Sequence, residues 1–269
     1  MAAKIHPAAV VHPSAKLGEG VEIAAFAFIG ENVELGEGTY IGPHSIVEHA
    51  VLGKANRVIG QAAIGTPPQD FSYKGEPTRV FMGDRNIVRE SVTINRGTKA
   101  SGKTVIGSDC MFMAYAHVAH DCVIGSHVIM ANSATLAGHC QVGDRAFLSG
   151  LVALHQFVRV GTCAILSGGG MLNLDLTPYC VGQGDRAVLR GLNLVGMRRA
   201  GLSREAISAV KAAYKTLFLS SLPLKEALAQ VRSSQLPEVL HMADFIEGSK
   251  RGVARPASLA AAEKEEAVF

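Results

Sequence analysis

Tryptophan is absent from this sequence of 269 residues, and aromatic residues make up only 6% of it. So few large rings disfavour a core organised around aromatic packing. The 29 glycines and the 48% of hydrophobic residues favour instead a narrow interior of small and branched side chains. Charged residues contribute only 18%. Because enough apolar surface is available to offset chain entropy, we expect a packed fold and no general disorder.

Long apolar runs, a strong basic excess and paired cysteine motifs are also missing. No run reaches the roughly 20 residues that span a bilayer, so stable membrane insertion is not expected. A net charge of +3 falls short of the dense basic surface of a dedicated nucleic-acid-binding protein. The five cysteines form no C-x-x-C and follow no signal-peptide core, which favours free thiols and a cytoplasmic location.

An aliphatic residue recurs every six positions, and this period predicts the architecture. The first run contains Val11, Leu17, Ile23, Ile29, Leu35, Ile41 and Val47, and an unbroken run extends from Ile106 to Leu166. A period of six fits neither a helix nor a long alternating strand, but it suits a short strand plus a corner repeated around a three-sided prism. The pattern resembles the left-handed parallel β-helix of hexapeptide repeats, and the handedness comes from that resemblance.

Two polar segments interrupt the repeat, at residues 66–79 and 96–103, and are predicted to project as loops. Beyond about Gly184 helical periodicity begins, with Ser203 as an N-cap. The predicted fold is therefore mainly β: a β-helix domain over residues 1–184, a C-terminal α-helical domain over residues 185–248 and a flexible tail over residues 249–269.

Histidines recur at intervals close to one coil of 18 residues. This spacing places Gly138 one coil beyond His120 and His139 one coil beyond Asp121. Adjacent coils lie about 4.8 Å apart, the spacing of neighbouring strands. The stripe so predicted holds four histidines, one carboxylate and one glycine: His117, His120, His139, His155, Asp121 and Gly138.

These residue types suit acyl transfer. His120 can act as a general base because imidazole titrates near neutrality, and the adjacent Asp121 can orient it. The Gly138 N–H can stabilise an oxyanion, since glycine permits close approach to the backbone. The competing hypothesis is a zinc site that recruits His117, His120 and His139, as in the trimeric β-helical carbonic anhydrases that this arrangement resembles.

From residue 10 to about residue 248 the sequence is similar to the UDP-N-acetylglucosamine O-acyltransferases, the family that begins bacterial lipid A biosynthesis. The motifs that carry the resemblance lie at residues 75–80, 83–86, 89–94, 116–122, 136–139, 155–157 and 201–207. The resemblance implies a homotrimer without a cofactor. It implies transfer of a (3-hydroxy)acyl chain from acyl carrier protein to the 3-position of UDP-N-acetylglucosamine.

The same resemblance implies roles for individual residues. His120 matches the general base, with Asp121 beside it and Gly138 facing the oxyanion. Gly168 matches a position where side-chain bulk limits acyl length. Residues that match substrate-binding positions are Asp70, His117, His139, His155, Gln156, Asn193, Arg198 and Arg199. Arg198 and Arg199 belong to a basic stretch that can steer an acidic carrier protein.

Two departures from the family pattern bear on the acceptor. Asn95 replaces the family's active-site histidine, and Ser72 replaces a substrate-facing lysine. Amide-forming transfer to the 3-amino analogue of the sugar is therefore a close alternative. The later pathway N-acyltransferase normally has an N-terminal uridine-binding domain, for which a repeat that begins by Val11 leaves no room. A metal-dependent hydratase and a purely structural β-helix are the remaining alternatives.

Overall fold

The six-residue repeat folds into short parallel strands that stack into three sheets, and the computed structural model describes residues 2–257. Each coil adds one strand to each sheet. The coils begin with β1 (Lys4–Ile5), β2 (Val10–Val11), β3 (Lys16–Leu17), β4 (Glu22–Ile23), β5 (Phe28–Ile29), β6 (Glu34–Leu35), β7 (Tyr40–Ile41), β8 (Ile46–Val47) and β9 (Ala50–Leu52). Strand β1 pairs with β4, β2 with β5 and β3 with β6. We number the sheets first, second and third after β1, β2 and β3.

The remaining strands follow the same rotation around the prism. They are β10 (Arg57–Val58), β11 (Ala63–Thr66), β12 (Arg79–Met82), β13 (Ile87–Val88), β14 (Thr93–Asn95), β15 (Lys103–Ile106), β16 (Met111–Phe112), β17 (His117–Val118), β18 (Val123–Ile124), β19 (Ile129–Met130), β20 (Thr135–Leu136), β21 (Gln141–Val142), β22 (Phe147–Leu148), β23 (Ala153–Leu154), β24 (Arg159–Val160), β25 (Ile165–Leu166) and β26 (Met171–Leu172). The mainly β fold predicted from the repeat is confirmed.

The repeated aliphatic residue of each hexapeptide fills the interior. Ile29, Ile41, Val47 and Leu136 are completely buried. Successive side chains of a strand point to opposite faces, so one residue of each two-residue strand faces inward and its neighbour faces outward. With coils that recur every 18 residues, the interior is a stack of similar aliphatic layers, as the small-residue composition indicates.

Buried polar side chains satisfy the backbone at the corner between the third and first sheets, which we call the asparagine corner (Asn56, Asn86 and Cys110). Asn56 Nδ2 donates to the carbonyl oxygens of Gly53 and Gly83, each at 2.9 Å. Asn86 Nδ2 lies 3.0 Å from the Gly107 carbonyl oxygen, and Asn86 Oδ1 accepts the Cys110 N–H at 2.9 Å. The corner is thus held by hydrogen bonds between amides.

The C-terminal part begins with a β-hairpin and not with a helix. Strand β27 (Cys180–Gln183) pairs antiparallel with β28 (Val188–Leu192), so the helical region starts later than the predicted residue 185. The helices are α1 (Leu194–Arg199), α2 (Arg204–Phe218), α3 (Leu224–Val231) and α4 (Pro237–Glu247). Ser203 caps α2 as predicted, because its hydroxyl oxygen accepts the Ala206 N–H at 3.0 Å.

Residues 249–257 differ from the predicted flexible tail. The Asp175 N–H donates to the Gly252 carbonyl at 2.9 Å, the Ala254 N–H donates to the Asp175 carbonyl at 2.8 Å, and Val253 is buried. These hydrogen bonds extend the parallel strand pairing of the prism. The six-residue repeat does not predict this pairing, because the segment lies beyond the end of the repeat. The rest of the predicted tail, residues 258–269, lies outside the described residues.

The five cysteines are free, as predicted, and the structure also places all five in the interior. The thiols of Cys122 and Cys140 each donate to a backbone carbonyl one coil further on, at 3.3 Å. Burial raises the pKa of Cys110 to about 11, so its thiol stays protonated. Between residues 2 and 257, no helix has the length and apolar character needed to cross a membrane.

Candidate active site

The corner between the second and third sheets carries the predicted stripe, and we call it the histidine corner (His120, Asp121, His139 and Phe157). His120 and Asp121 follow strand β17, and His139 follows β20 one coil further along. Asp121 and His139 have φ values of 59° and 63°, in the left-handed region that Asp and His enter more readily than most residues. The two polar loops project from the same side of the prism, between β11 and β12 and between β14 and β15.

His120 is 5% exposed and makes a short hydrogen bond within the corner. Its Nδ1 lies 2.8 Å from Asp121 Oδ2. Because an ionised carboxylate only accepts hydrogen bonds, Nδ1 of the neutral ring carries the proton and Nε2 keeps its lone pair. Nε2 lies 3.8 Å from Asp70 Oδ2, on the loop between β11 and β12. The tautomer therefore leaves Nε2 as a proton acceptor that faces this loop.

Asp121 is held ionised by donors from the loop between β14 and β15. The Thr98 N–H donates to the carboxylate at 3.1 Å, the Thr98 hydroxyl donates at 2.8 Å, and the Ser101 hydroxyl donates as well. Burial would raise the pKa of Asp121, but the hydrogen bonds from Ser101, His120 and Thr98 outweigh it, so the pKa lies below its ordinary value. Sequence reasoning missed Thr98 and Ser101, although their polar loop was noticed.

Gly138 lies against the ring of His120. A Cβ at this position would be 2.5 Å from His120 Cε1 and 2.7 Å from Nε2, a separation that no side chain tolerates. Within residues 2–257 the Gly138 N–H finds no acceptor, whereas the next N–H, of His139, donates to the His120 carbonyl at 3.0 Å. Glycine is thus required where the backbone passes the imidazole.

Two further histidines pack around His120. His117 Nδ1 lies 2.7 Å from Thr93 Oγ1, and burial, with a smaller electrostatic effect of the nearby His120, lowers the pKa of His117. The ring of His139 meets that of His120 edge-on at 5.1 Å and stacks on Phe157 at 4.5 Å. Of the four predicted histidines, these three come together.

Arg96 anchors the loop that carries Asp70. The residue is 8% exposed, and its guanidinium donates to Glu48 Oε1 at 3.1 Å and to the Gly65 carbonyl at 2.7 Å. It also donates to the Tyr73 hydroxyl at 3.1 Å, and that hydroxyl donates to the Glu76 carbonyl at 2.9 Å. Strand β11 before the loop and Tyr73 within it are therefore tied to one buried cation, and Tyr73 extends this connection to Glu76.

Asp70 and Ser72 share a tight turn within this loop. The Ser72 N–H donates to Asp70 Oδ1 at 2.7 Å, and this hydrogen bond lowers the pKa of Asp70. Asp70 is consequently an ionised carboxylate beside His120. The Ser72 backbone orients it, whereas the Ser72 side chain is exposed.

Asn95 is buried behind the corner. Its Nδ2 donates to Thr66 Oγ1 at 3.1 Å, whereas Oδ1 has no hydrogen-bond partner among the described residues. The residue is only 3% exposed. A buried acceptor without a donor is costly in a folded protein, which makes Asn95 a candidate for a contact with substrate.

His155, Gln156 and Gly168 lie apart from His120. His155 is exposed and lines a separate cavity of about 420 Å³ with Met171 and Arg186. Gln156 is half-buried at the coil beyond Gly138. Gly168 lies at the corner between the first and second sheets, where a Cβ would meet only the Gly150 carbonyl at 3.6 Å. Their substrate contacts remain predictions.

Asn193 has a structural partner for each end of its amide. Oδ1 caps α1 by accepting the Gly196 N–H at 2.8 Å, and Nδ2 donates to the Cys163 carbonyl at 2.8 Å. Asn193 and Arg199 line a cavity of about 350 Å³ over the first sheet, together with His127, Ile129, Arg145, Phe147, Ile165, Val195, Gly196 and Ala200. Arg198 is exposed in the last turn of α1.

A metal site is the chemical alternative at this corner. Ligand atoms of His120, Asp121 and His139 lie within 4.8 Å of one another, and His117 is outside this group. However, Asp121 already accepts hydrogen bonds from Thr98 and Ser101 and contacts His120 Nδ1. A zinc ion bound to this group would therefore compete for Asp121 with the hydrogen bonds that the carboxylate already accepts.

Comparisons with known proteins agree with the geometry. The family model described as "Udp N-acetylglucosamine O-acyltransferase; Domain 2" matches residues 175–254, and the bacterial transferase hexapeptide model matches residues 14–49 and 103–138. An acyl-[acyl-carrier-protein]--UDP-N-acetylglucosamine O-acyltransferase of Trichlorobacter lovleyi is 51% identical over 93% of this chain and 99% of its own. That of Myxococcus xanthus is 46% identical over 94% of this chain and all of its own.

The chain belongs to the UDP-N-acetylglucosamine O-acyltransferases. A solved UDP-N-acetylglucosamine acyltransferase from Bacteroides fragilis superposes on it with a TM-score of 0.91 at 39% identity, covering 93% of this chain and 99% of the other. The family resemblance stated from the sequence motifs is therefore confirmed, as is the assignment as an acyltransferase.

Proposed function

We propose that this chain transfers an acyl group from acyl carrier protein to the 3-hydroxyl of UDP-N-acetylglucosamine, a step of lipid A biosynthesis. The observation that carries the proposal is the pair formed by His120 and Asp121, with Nε2 of His120 unprotonated and the Gly138 backbone against the ring. The names of the relatives state the same donor and acceptor.

His120 Nε2 takes the proton of the acceptor hydroxyl as its oxygen attacks the thioester carbonyl carbon. The resulting imidazolium is stabilised by Asp121 at 2.8 Å and by Asp70 at 3.8 Å. As the carbon–sulfur bond breaks, Nε2 returns the proton to the departing thiolate of the carrier. Asp121 stays ionised because its pKa is low, so it orients His120 without taking the proton.

The Gly138 N–H would stabilise the oxyanion of the tetrahedral intermediate. The Gly138 backbone lies against the His120 ring, and its N–H makes no hydrogen bond in the described part of the chain. A preorganised donor of this kind contributes about 3 kcal/mol to lowering the barrier of acyl transfer.

The acceptor would be held by side chains around His120 that the family match assigns to substrate. Asp70 accepts hydrogen bonds from the sugar, and His117 and His139 border it. Gln156 and His155 extend this border, and Gly168 leaves room for a long acyl chain. Arg198 and Arg199 contact nucleotide phosphate or the acidic carrier, next to the cavity that Asn193 shapes.

A homotrimer accounts for the separation between the two halves of the proposed site. The Arg199 cavity opens over the first sheet, whereas His120 lies between the second and third sheets. A UDP-sugar held by both would have to bridge two subunits. The second sheet also exposes the large apolar side chains of Val10, Phe28, Ile46 and Met171, between 40% and 58% accessible, which suits a subunit interface.

The 3-amino analogue of the sugar is a second candidate acceptor. Asn95 Oδ1 is a buried acceptor without a donor, and an amine or an ammonium group offers more N–H donors than a hydroxyl does. The product would then be an amide, formed by the same residues. The substituted positions Asn95 and Ser72 would mark this preference.

Mass analysis of the products separates the candidates. The purified chain is offered a 3-hydroxyacyl carrier protein with UDP-N-acetylglucosamine or its 3-amino analogue, alongside the variant His120→Ala. An ester that the variant does not form supports the proposed reaction. Predominant amide would change the acceptor and keep the mechanism. Transfer to neither sugar by folded protein would refute both.

A further inference from the structure

The second sheet carries a column of polar side chains beside the histidine corner. Thr93 on β14, His117 on β17 and Thr135 on β20 occupy matching positions on three neighbouring strands. The next residue of each strand is fully buried, so these three side chains lie on the outer face of the sheet. His117 precedes His120 by three residues, whereas the proposed reaction leaves Thr93 without a role.

The Thr93 hydroxyl makes a short hydrogen bond with His117. Its Oγ1 lies 2.7 Å from His117 Nδ1. This distance suits a hydroxyl donor and is shorter than the separation of about 2.9–3.0 Å that is usual for an N–H donor. If the ring donated instead, the hydroxyl hydrogen would find no acceptor within residues 2–257. The hydroxyl is therefore the donor, and Nδ1 is the acceptor.

This hydrogen bond determines which nitrogen of His117 carries the proton. A neutral imidazole has one N–H and one lone pair, so an accepting Nδ1 leaves the proton on Nε2. Burial lowers the pKa of His117, so the ring is neutral near pH 7. His120 has the opposite tautomer, because its Nδ1 donates to Asp121. The two rings thus offer opposite functions at Nε2, a donor on His117 and an acceptor on His120.

The Nε2–H of His117 suits an oxygen of the substrate. Among the described residues this N–H has no acceptor, although the side chain is half-buried. Because the ring stays neutral, the N–H can hold an oxygen while His120 takes and returns the proton of the reaction. An acceptor sugar carries hydroxyl and carbonyl oxygens on every side, whereas an acyl chain consists mainly of groups that accept no hydrogen bond.

We propose that Thr93 is a positioning residue whose hydroxyl fixes the tautomer and orientation of His117, so that Nε2–H donates to an oxygen of the acceptor sugar. Thr93 acts only through the imidazole and does not touch the substrate. The inference rests on the proposed function, which supplies a sugar as the ligand beside His120.

The test compares three single variants. Thr93→Val removes the hydroxyl and keeps the branched shape that suits a strand, whereas Thr93→Ser keeps the hydroxyl. Thr135→Val is the matched control on the adjacent strand, because the Thr135 hydroxyl donates to the Ser133 carbonyl at 3.2 Å and not to a histidine. For each protein, kcat is measured together with KM for the UDP-sugar and for the acyl carrier protein substrate.

Two further measurements isolate the role of the imidazole. Thr93→Val is also made in the His117→Ala background, where a residue that acts through His117 has nothing left to orient. Nitrogen NMR of isotope-labelled histidine reports, without substrate, which nitrogen of His117 carries the proton and whether the other accepts a hydrogen bond.

In Thr93→Val we expect the sugar KM to rise about fivefold, the loss that one hydrogen bond to the substrate accounts for, with kcat and the donor KM nearly constant. Thr93→Ser and Thr135→Val should remain close to the parent. In the His117→Ala background, Thr93→Val should add no further rise. The parent should show the proton on Nε2 of His117, and Thr93→Val should shift the Nδ1 resonance to that of a lone pair without a donor.

A proton on Nδ1 of His117 in the parent would overturn the proposal. So would a parental sugar KM in Thr93→Val, a rise confined to the donor KM, or a rise of equal size in the His117→Ala background. If the parent transfers an acyl group to no UDP-sugar, the proposed function has failed, and the NMR result then decides separately whether Thr93 fixes the tautomer of His117.

Discussion

Two corners of the same prism use buried polar groups for different purposes. At the asparagine corner, Asn56 and Asn86 are fully buried and their amides bond to backbone groups of neighbouring coils. At the histidine corner, His120 and Asp121 are also buried, but Nε2 of His120 and the Gly138 N–H have no hydrogen-bond partner within residues 2–257. The asparagine amides use their hydrogen bonds to stabilise the coils. The histidine corner instead keeps a lone pair on His120 Nε2, which can accept a proton in a reaction.

The comparison is tested most strongly by His120→Ala. A positioned general base raises the rate of a reaction by about 10²–10⁴-fold. We expect kcat to fall about 10³-fold in this variant, because His139, at 3.7 Å from Asp121, is not held as closely as His120 at 2.8 Å. The thermal unfolding midpoint should change little. Steady-state kinetics and calorimetry measure the two effects. The matched control His6→Ala removes an exposed histidine and should retain parental kcat. A kcat within threefold of the parent would remove His120 from the reaction.

The opposite outcome is expected for Asn86→Ala. The change leaves the Cys110 N–H and the Gly107 carbonyl without their side-chain partner in a buried corner. At about 1–3 kcal/mol per unsatisfied buried group, the free energy of unfolding should fall by about 3 kcal/mol. Denaturant unfolding measures this loss, and kcat per folded molecule should stay parental. If Asn86→Ala lowered kcat but left the free energy of unfolding unchanged, the asparagine corner would have a role in the reaction as well as in stability.

Thr98→Val should lower kcat by weakening the hydrogen bonding of Asp121 in the histidine corner. Removing the hydroxyl that donates at 2.8 Å raises the Asp121 pKa and loosens the orientation of His120, so we expect kcat to fall about tenfold. Thr98→Ser keeps the hydroxyl and should recover most of this loss. A parental kcat in Thr98→Val would mean that this hydrogen bond does not orient the pair.

The same substitution has a stability signature in acid. Because the folded-state pKa of Asp121 is lowered, its contribution to stability is complete above the unfolded pKa of about 3.9 and is lost as pH falls toward the folded value. Thr98→Val should therefore lose less stability than the parent between about pH 5 and pH 2. Urea unfolding at several pH values measures how the free energy of unfolding changes with pH in each protein. If the parent and Thr98→Val lost stability equally as pH falls, the Thr98 hydroxyl would not be what lowers the Asp121 pKa.

The smallest effect is expected for Tyr73→Phe. The variant keeps the ring but loses the hydroxyl that accepts from Arg96 and donates to the Glu76 carbonyl. The loop that carries Asp70 should become less ordered, which raises the KM for the UDP-sugar about threefold and leaves kcat nearly constant. Tyr40→Phe, on the opposite part of the prism, is the matched control. A change in kcat without a change in KM would place Tyr73 closer to the chemistry.

The fold could be predicted from the sequence because the repeat is local. Each hexapeptide obeys the same rule, and one coil predicts the next, so the stacking of Gly138 on His120 followed from spacing alone. Thr98 and Arg96 could not be found in this way. Thr98 meets Asp121 across 23 residues and Arg96 meets Glu48 across 48, and neither separation is a multiple of 18 because loops of irregular length intervene.

The C-terminal boundary was missed for a related reason. Residues 249–257 pair with Asp175 and Leu189 through backbone hydrogen bonds. Because a residue of any type can form such bonds, the composition of this segment does not indicate the pairing. Strand β28 likewise continues the first sheet in the antiparallel direction after the repeat has ended. A six-residue period in the sequence cannot predict contacts that involve only the backbone, or contacts made by residues in loops of irregular length.

A stack of parallel coils has an open edge at each end, and such edges are templates for fibre growth. Here the C-terminal edge is covered, because β28 reverses direction and residues 252–254 occupy the N–H and C=O groups of Asp175. The opposite edge is blunted by two-residue strands that carry Lys4 and Lys16. The described part of the fold thus uses the repetitive geometry of a filament, but its last coil offers fewer unpaired backbone groups to which a further coil could add.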